Sequence, residues 1–353
     1  MTMPFTDLRD SRILVTGTTG FKGSWLGTWL ADLGAKVVGF ALPPEADAPL
    51  FQQLKLPDRI DQHYGDVRDK AAVDAVFAKA RPDIVIHMAA QALVRKSYAE
   101  PKETFDVNIG GSVNILEAAR ATSSIRSLVF VTSDKCYRNK EWIWGYREND
   151  ELGGSDPYSA SKACAELVFA SYQDSFFAAG SSLVAAAARA GNVIGGGDFS
   201  ADRIVPDCIR ALSGNRAITL RNPNSVRPWQ HVLEPLSGYL QLAQWLLSKP
   251  DIARGSWNFG PDAENVRTVE ELASLAVRHW GSGEIKSEIV AGAPHEAGLL
   301  MIDAAKAKIR LGWRPRWNFD QAVANTVNWY RQVHDGADPL AVTRAQIADY
   351  SGR

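Results

Sequence analysis

The sequence predicts an α/β protein: a doubly wound parallel sheet followed by a smaller, mixed C-terminal lobe. Three observations carry this. Short apolar runs rich in β-branched residues alternate with longer helical patterns through the first half, the first of these runs leads into a glycine-rich turn and then a helix, and the rhythm changes beyond Gly191.

In order, the expected elements are a strand at 12–16, a helix at 20–33, a strand at 36–40, a helix at 71–80 and a strand at 84–87. A helical stretch at 103–121, a strand at 127–132, a helix at 158–178 and an apolar run at 182–188 extend the βαβ repeat. Past Gly191 come a glycine loop, a helix near 204–213, a short strand at 218–220, and helices around 233–247, 269–280 and 319–333. No proline- or glycine-rich linker or internal repeat divides the chain. The expected organisation is therefore residues 1–190 as the sheet domain and 191–353 mainly as the smaller lobe, with chain exchange between them. The helices at 103–121 and 158–178 carry apolar faces that either cover the sheet or pair with a second subunit.

Composition narrows the function classes. The chain has 353 residues, 46% of them hydrophobic, and its 39 basic and 40 acidic side chains leave a net charge of -1. No global field draws it to nucleic acid or an anionic membrane, so any anion site is local. Residues 1–12 hold Asp7, Arg9 and Asp10 without an apolar stretch, and nowhere do about 18 apolar residues run together, so neither export nor membrane insertion is expected. Cys136, Cys164 and Cys208 are well separated and odd in number, which suits a reducing cytoplasm. His63, His87, His279 and His334 share no ligand spacing, and no metal is expected.

The strand at 13–15 runs into Gly17-Thr18-Thr19-Gly20-Phe21-Lys22-Gly23 and then a helix containing Trp25, Leu26, Trp29 and Leu30. Glycines let the backbone turn tightly and approach a pyrophosphate, whose charge the helix N-terminus stabilises. This is a Rossmann-type dinucleotide turn. The second strand, Val37 to Leu42, ends without the carboxylate that would accept a ribose hydroxyl or an arginine for a 2′-phosphate, so the choice between NAD and NADP is not written there.

After the strand at 128–131 stands Thr132-Ser133-Asp134-Lys135, and farther on Tyr158 and Lys162, four apart and so on one helix face. An ammonium beside a phenol favours the phenolate, lowering its pKa from about 10 so that Tyr158 can take a hydroxyl proton during hydride transfer. Lys162 is also placed to hold a nicotinamide ribose.

On these residues the chain resembles the extended short-chain dehydrogenases/reductases. The resemblance rests on Gly17, Gly20 and Gly23, on Gly65-Asp66-Val67, on Ala89-Ala90-Gln91, on Asn108, on the Tyr158/Lys162 pair, and on Leu311-Gly312-Trp313 and Asn328-Trp329-Tyr330 near the C-terminus. It implies cofactor contacts from Gly17, Thr19, Gly20, Phe21, Lys22, Gly23, Asp66, Val67, Ala89, Ala90, Gln91, Asn108, Tyr158 and Lys162. Within the superfamily, Ser133-Asp134-Lys135-Cys136-Tyr137 followed by the segment Glu141 to Asn149 resembles the nucleotide-sugar 4,6-dehydratases, specifically those acting on CDP-glucose. The dTDP-glucose members carry Asp-Glu where this chain has Asp134-Lys135.

That resemblance implies oxidation at C4, loss of water across C5 and C6, and return of the hydride to C6. Asp134 is the implied acid for the C6 hydroxyl, and Ser133 assists Tyr158 at the C4 oxygen. Lys135 either takes the C5 proton, for which it must be neutral, or stabilises the enolate. A hydride taken and returned in one turnover needs no reducing pool, which favours a retained NAD while leaving NADP open.

For the substrate diphosphate the resemblance implies Asn192, Arg203 and Arg227, with His231 in the same segment and His295-Glu296 as a late substrate-side pair. Trp142, Trp144 and Tyr146 either wall the site or pack in the core. A homo-oligomer, dimer or tetramer, is implied as well. The alternatives are another nucleotide-sugar 4,6-dehydratase, a 4-epimerase, or a non-catalytic NAD(P)-sensing protein. Asp134-Lys135 argues against an epimerase, and retention of both Tyr158 and Lys162 argues against a sensor.

Overall fold

Seven strands make one parallel sheet in the computed structural model, which describes residues 5–45, 49–178, 180–287 and 298–352. They are β1 (Arg12–Thr16), β2 (Lys36–Ala41), β3 (Asp61–Tyr64), β4 (Ile84–His87), β5 (Ser127–Val131), β6 (Val184–Ala190) and β7 (Gly255–Phe259). Their spatial order is β7-β6-β5-β4-β1-β2-β3, and every neighbouring pair is parallel. The winding reverses between β1 and β4. In open α/β sheets the crevice beyond the carboxyl ends of the strands at that point receives the ligand.

Strand side chains alternate between two buried faces, as a period of two requires. Ile13, Val15, Ile84, Ile86, Val129 and Val131 enter a core covered by helices Phe21–Asp32 and Leu233–Ser248. Leu14, Val85, Leu128 and Phe130 face a second core under helices Lys70–Ala80, Ser112–Ala121 and Pro157–Phe176. Four consecutive alanines, Ala185 to Ala188, run through β6 between the two faces. On the first face, the β5 residue Ser127 donates to the Ala243 carbonyl at 3.1 Å, inside helix Leu233–Ser248.

The fold class follows the expectation, and several elements lie beyond it, among them two strands of the sheet and a late helix. β3 reads Asp-Gln-His-Tyr, an edge strand with no apolar run to announce it. β7 comes from the chain beyond residue 191 and pairs with β6, so the second half completes the sheet of the first. Helix Pro339–Ser351, capped by Asp338, packs against helix Phe21–Asp32 through Tyr350 on Trp29, ring centroids 6.0 Å apart. The helix expected at 103–121 is interrupted: Pro101–Phe105 passes into a π-helical stretch, Asp106–Gly111, before Ser112–Ala121 resumes. Such widened turns collect at functional sites, and this one contains Asn108.

No helix among the described residues is long and apolar enough to cross a membrane. Those residues contain no cluster of three potential metal ligands. Cys136, Cys164 and Cys208 are free thiols.

Candidate active site

The turn after β1 is built by close backbone approach. Gly17 has a φ of 79°, and a Cβ there would stand 3.0 Å from the Ala89 backbone. At Gly23 a Cβ would lie 2.0 Å from the Gly17 carbonyl oxygen, so helix Phe21–Asp32 seats directly on the turn only because position 23 has no side chain. Gly20 is the N-cap, which leaves the first amides of the helix facing the crevice. Thr19 Oγ1 donates to the Leu42 carbonyl at 3.0 Å, tying the turn to the end of β2. These residues fit a dinucleotide pyrophosphate.

At the end of β4, Thr16 Oγ1 accepts from the Met88 and Ala89 amides, both at 3.0 Å, and fixes the 88–91 segment beside the turn. Asn108 and Gln91 are tied to each other at the end of β4. Asn108 Oδ1 accepts from the Gln91 amide at 2.9 Å, while its Nδ2 donates to the Gln91 carbonyl and to Ser161 Oγ. The Gln91 side chain bonds Leu93 and Thr104. Both side chains are buried and satisfied by protein, and they shape the strand end. Val67 is buried against Gly111, and Asp66 is engaged by Arg68, whose hydrogen bond holds its carboxyl below the usual range.

Beyond β5 the chain makes a tight turn, capped by Ser133, that presents Ser133, Asp134 and Lys135. Ser133 Oγ donates to Asp134 Oδ1 at 2.9 Å, and Lys135 Nζ reaches the same oxygen at 3.3 Å. Asp134 is fully buried, and its other oxygen, Oδ2, has no protein partner. Lys135 is partly open to the cleft.

Tyr158 and Lys162 sit in the first turns of helix Pro157–Phe176, capped by Asp156, with Lys162 Nζ 6.0 Å from the Tyr158 ring centre. The anticipated lowering of the phenol does not occur. Burial pushes Tyr158 up to about 12, against a hydrogen bond with Ser133 that pulls it down. Burial likewise pushes Lys162 down to about 8. Desolvation outweighs the Ser133 hydrogen bond at Tyr158 and the charges of Cys136 and Glu166 at Lys162.

These residues open on a cleft of about 980 Å³ lined by Lys22, Ser133, Asp134, Lys135, Tyr158, Asn192, Arg203, Arg227 and Trp229 among others. Asn192 adopts a φ of 41°, and its buried Nδ2 has no protein partner. Arg203 bonds Asp198 at 2.9 Å, and although burial opposes its charge, Asp198 holds the guanidinium protonated. Arg227 Nη1 donates to the Val226 carbonyl at 2.9 Å.

His231 is a correction to the expected substrate contacts. It is buried inside the core, edge-on to Trp25 and Trp317 at 5.7 and 4.7 Å, and is not part of the cleft wall. Burial pushes its imidazole down to about 3, so it stays neutral. Arg189, at the head of the segment expected to supply cations, turns inward to Glu166. Trp142 and Tyr146 pack together and Trp144 is largely exposed, while their neighbours Asn139, Lys140 and Glu141 line the cleft. His295-Glu296 lies outside the described residues.

Sequence reasoning placed Lys22 only in the dinucleotide turn. The structure sends its side chain into the cleft, where burial and then the charges of Lys162 and Arg203 push it down to about 8. Its place inside a Gly-x-x-Gly-x-x-Gly run, where an apolar residue would pack equally well, was the available signal.

A family model described as GDP-mannose 4,6 dehydratase matches residues 14–326. The chain belongs to that family. Its relatives include a CDP-glucose 4,6-dehydratase of Salmonella typhimurium (strain LT2), 46% identical over 348 residues, covering 97% of this chain and 96% of that enzyme. Among solved structures, the UDP-glucose 4-epimerase of Thermus thermophilus in complex with NAD is 26% identical with a TM-score of 0.76, covering 90% of this chain and 98% of that one. A dTDP-glucose 4,6-dehydratase of Streptomyces venezuelae with NAD bound aligns with a TM-score of 0.77 at 22% identity, over 93% and 99% of the two chains. A dehydratase and an epimerase thus share this fold.

Proposed function

We propose that this protein is an NAD-dependent CDP-glucose 4,6-dehydratase, converting CDP-D-glucose to CDP-4-keto-6-deoxy-D-glucose. The observation that carries the reading is the Ser133-Asp134-Lys135 turn opening on the same cleft as Tyr158, with Asp134 Oδ2 buried and unpartnered. The 46% identity to a CDP-glucose enzyme supports the choice of base, and the NAD-bound relatives support the choice of cofactor.

When bound, NAD supplies the acceptor for the C4 hydride and its donor back to C6. The chain's own residues do the rest. Tyr158 takes the proton of the C4 hydroxyl, which requires the positive charge of the bound cofactor to bring its raised phenol back toward ionisation; within the chain the Ser133 hydrogen bond and the charge of Arg203 act in the same direction. With the C4 carbonyl formed, the C5 proton is acidic. Lys135, which must be neutral for this, removes it, and Asp134, carrying a proton on Oδ2, passes that proton to the departing C6 hydroxyl, which leaves as water. Lys135 and Asp134 touch, so both proton transfers of the elimination are served from one turn. Arg203 and Arg227 bind the diphosphate, and Asn192 Nδ2 donates to the substrate.

The same reading takes the protein as a cytoplasmic homo-oligomer of two or four subunits, associating through the helix that leaves Leu167 and Phe176 exposed. Incubation with NAD and CDP-glucose, dTDP-glucose, UDP-glucose or GDP-mannose separately, followed by mass spectrometry, tests the function. Loss of one water from CDP-glucose alone is expected. Turnover of another nucleotide sugar in its place, or epimerisation without water loss, refutes the assignment.

A further inference from the structure

Behind the cleft lies a buried ion pair that the chemistry above does not use. Glu166 follows Lys162 by four residues and Tyr158 by eight, so all three share one face of helix Pro157–Phe176. Arg189, on β6, meets it with a two-pronged contact: Nε to Oε1 at 2.8 Å and Nη2 to Oε2 at 2.7 Å. Their side chains are only 1% and 3% exposed. A buried pair of this kind adds little stability over apolar packing of the same volume. Stability alone therefore does not account for it.

Its further contacts do. Thr132 Oγ1 donates to Glu166 Oε1, and Arg189 Nη1 donates to the Tyr137 hydroxyl at 2.7 Å. Tyr137 in turn donates to Asn258 Oδ1 at 2.7 Å. Thr132 and Tyr137 stand at the two ends of the Ser133-Asp134-Lys135-Cys136 turn, so the ion pair grips that turn from both sides. Through Glu166 the grip is anchored to the helix bearing Tyr158 and Lys162, and through Arg189 to β6.

We infer that Glu166 and Arg189 are positioning residues: they fix the turn that performs the elimination relative to the helix that performs the oxidation. This rests on the dehydratase reading. Oxidation at C4 depends on Tyr158 and Lys162, which keep their places on the helix when the grip is loosened, and takes only Ser133 from the turn. Elimination depends on Asp134 and Lys135 meeting the same sugar from the turn. Loosening the grip therefore slows the second step more than the first.

Truncating Glu166 or Arg189 would strand a buried charge and endanger folding, so the test cuts the ties instead. Thr132→Val removes one hydrogen bond and Tyr137→Phe two, those with Arg189 and Asn258, and both leave the ion pair and the packing volume nearly intact. Each variant, and the two combined, is loaded with NAD and rapidly mixed with CDP-glucose, following reduced nicotinamide by absorbance and 4-keto-6-deoxy product by mass spectrometry. The expected result is reduced cofactor building up transiently beyond the wild-type level, with product formation slowed roughly ten-fold in the double variant and KM unchanged. Equal slowing of oxidation and product formation, or wild-type product rates from folded variants, overturns the inference. Absence of product from the unaltered enzyme overturns the dehydratase reading instead, and this inference with it.

Discussion

Gly191 is the position where a single methyl group should do most damage to the elimination. It follows β6 and lies directly against Asp134: a Cβ built there would stand 2.0 Å from Oδ2 and 2.4 Å from Cγ. Real Cβ atoms keep at least 3.0 Å, so in Gly191→Ala the carboxylate must retreat by about 1 Å, the difference of the two distances. It cannot retreat freely, because Oδ1 is held by Ser133 and Lys135. Misplacing a reacting group by about 1 Å costs on the order of a hundred-fold in rate, or about 2.7 kcal/mol of transition-state stabilisation. Overpacking adds a stability loss of about 1–3 kcal/mol, read separately from thermal melting. The assay is single-turnover product formation from CDP-glucose in a variant confirmed to be folded and to bind NAD with wild-type affinity. A rate within about three-fold of wild type would show that the placement of Asp134 does not limit the reaction, and the role assigned to Oδ2 would fall.

Three further outcomes follow from the same geometry. Asp134→Asn keeps the shape of the turn but removes the transferable proton, so cofactor reduction should persist while product formation drops by roughly 10² to 10⁴-fold; unchanged product formation would remove Asp134 from the mechanism. Arg203→Lys keeps the charge beside Asp198 but loses the guanidinium fork, and KM for the nucleotide sugar should rise about ten-fold with kcat little changed, measured by steady-state kinetics. Glu234 governs a pH dependence of stability. Burial pushes its carboxyl from the ordinary 4.5 up to about 7, against hydrogen bonds from Tyr350 and the amides of Trp317 and Arg316. Because the folded pKa is the higher one, the folded state binds the proton more tightly. This stabilisation is complete below about pH 4.5 and is lost as pH rises through 7, with an upper limit of roughly 3 kcal/mol. Glu234→Leu should flatten that segment of the stability curve, measured by denaturant unfolding at pH 5.5 and 8.

Where one residue type served one structural purpose, the sequence was readable. Helix Val269–Trp280 was bounded correctly because Thr268 and Glu271 form a reciprocal cap at its start and Gly281 ends it in the left-handed region. β1, β4 and β5 are buried along nearly their whole length and show as unbroken apolar runs. β3 escaped notice because an edge strand of Asp, Gln, His and Tyr has partners only on one side and little to bury. β7 escaped for a different reason. Gly-Ser-Trp-Asn-Phe is an ordinary short pattern, and its place beside β6 depends on a contact across more than sixty intervening residues. The break at 106–111 is legible in retrospect from the adjacent Gly110 and Gly111, the second of which seats against Val67.

The site was readable as a set of residues but not as a balance of forces. Spacing put Tyr158 and Lys162 on one helix face, and from that an activated phenolate followed. Both are instead enclosed, and burial moves the phenol up and the ammonium down, each toward its neutral form. Whether a neighbouring charge or desolvation wins depends on how much water is excluded, a property of Lys22, Ala190, Asn192 and the cleft walls taken together rather than of a four-residue interval. The same holds for Asp134. A motif places a carboxylate after β5, but its position is set by Gly191 beneath it, by Ser133 and Lys135 occupying Oδ1, and by the Glu166–Arg189 pair gripping the turn behind it. Those contacts join β5, β6 and one helix, segments that meet only once the sheet has formed. The chemistry of this cleft is thus written in residue types at a few positions, while its energetics are set by glycines and buried charges that carry no motif of their own.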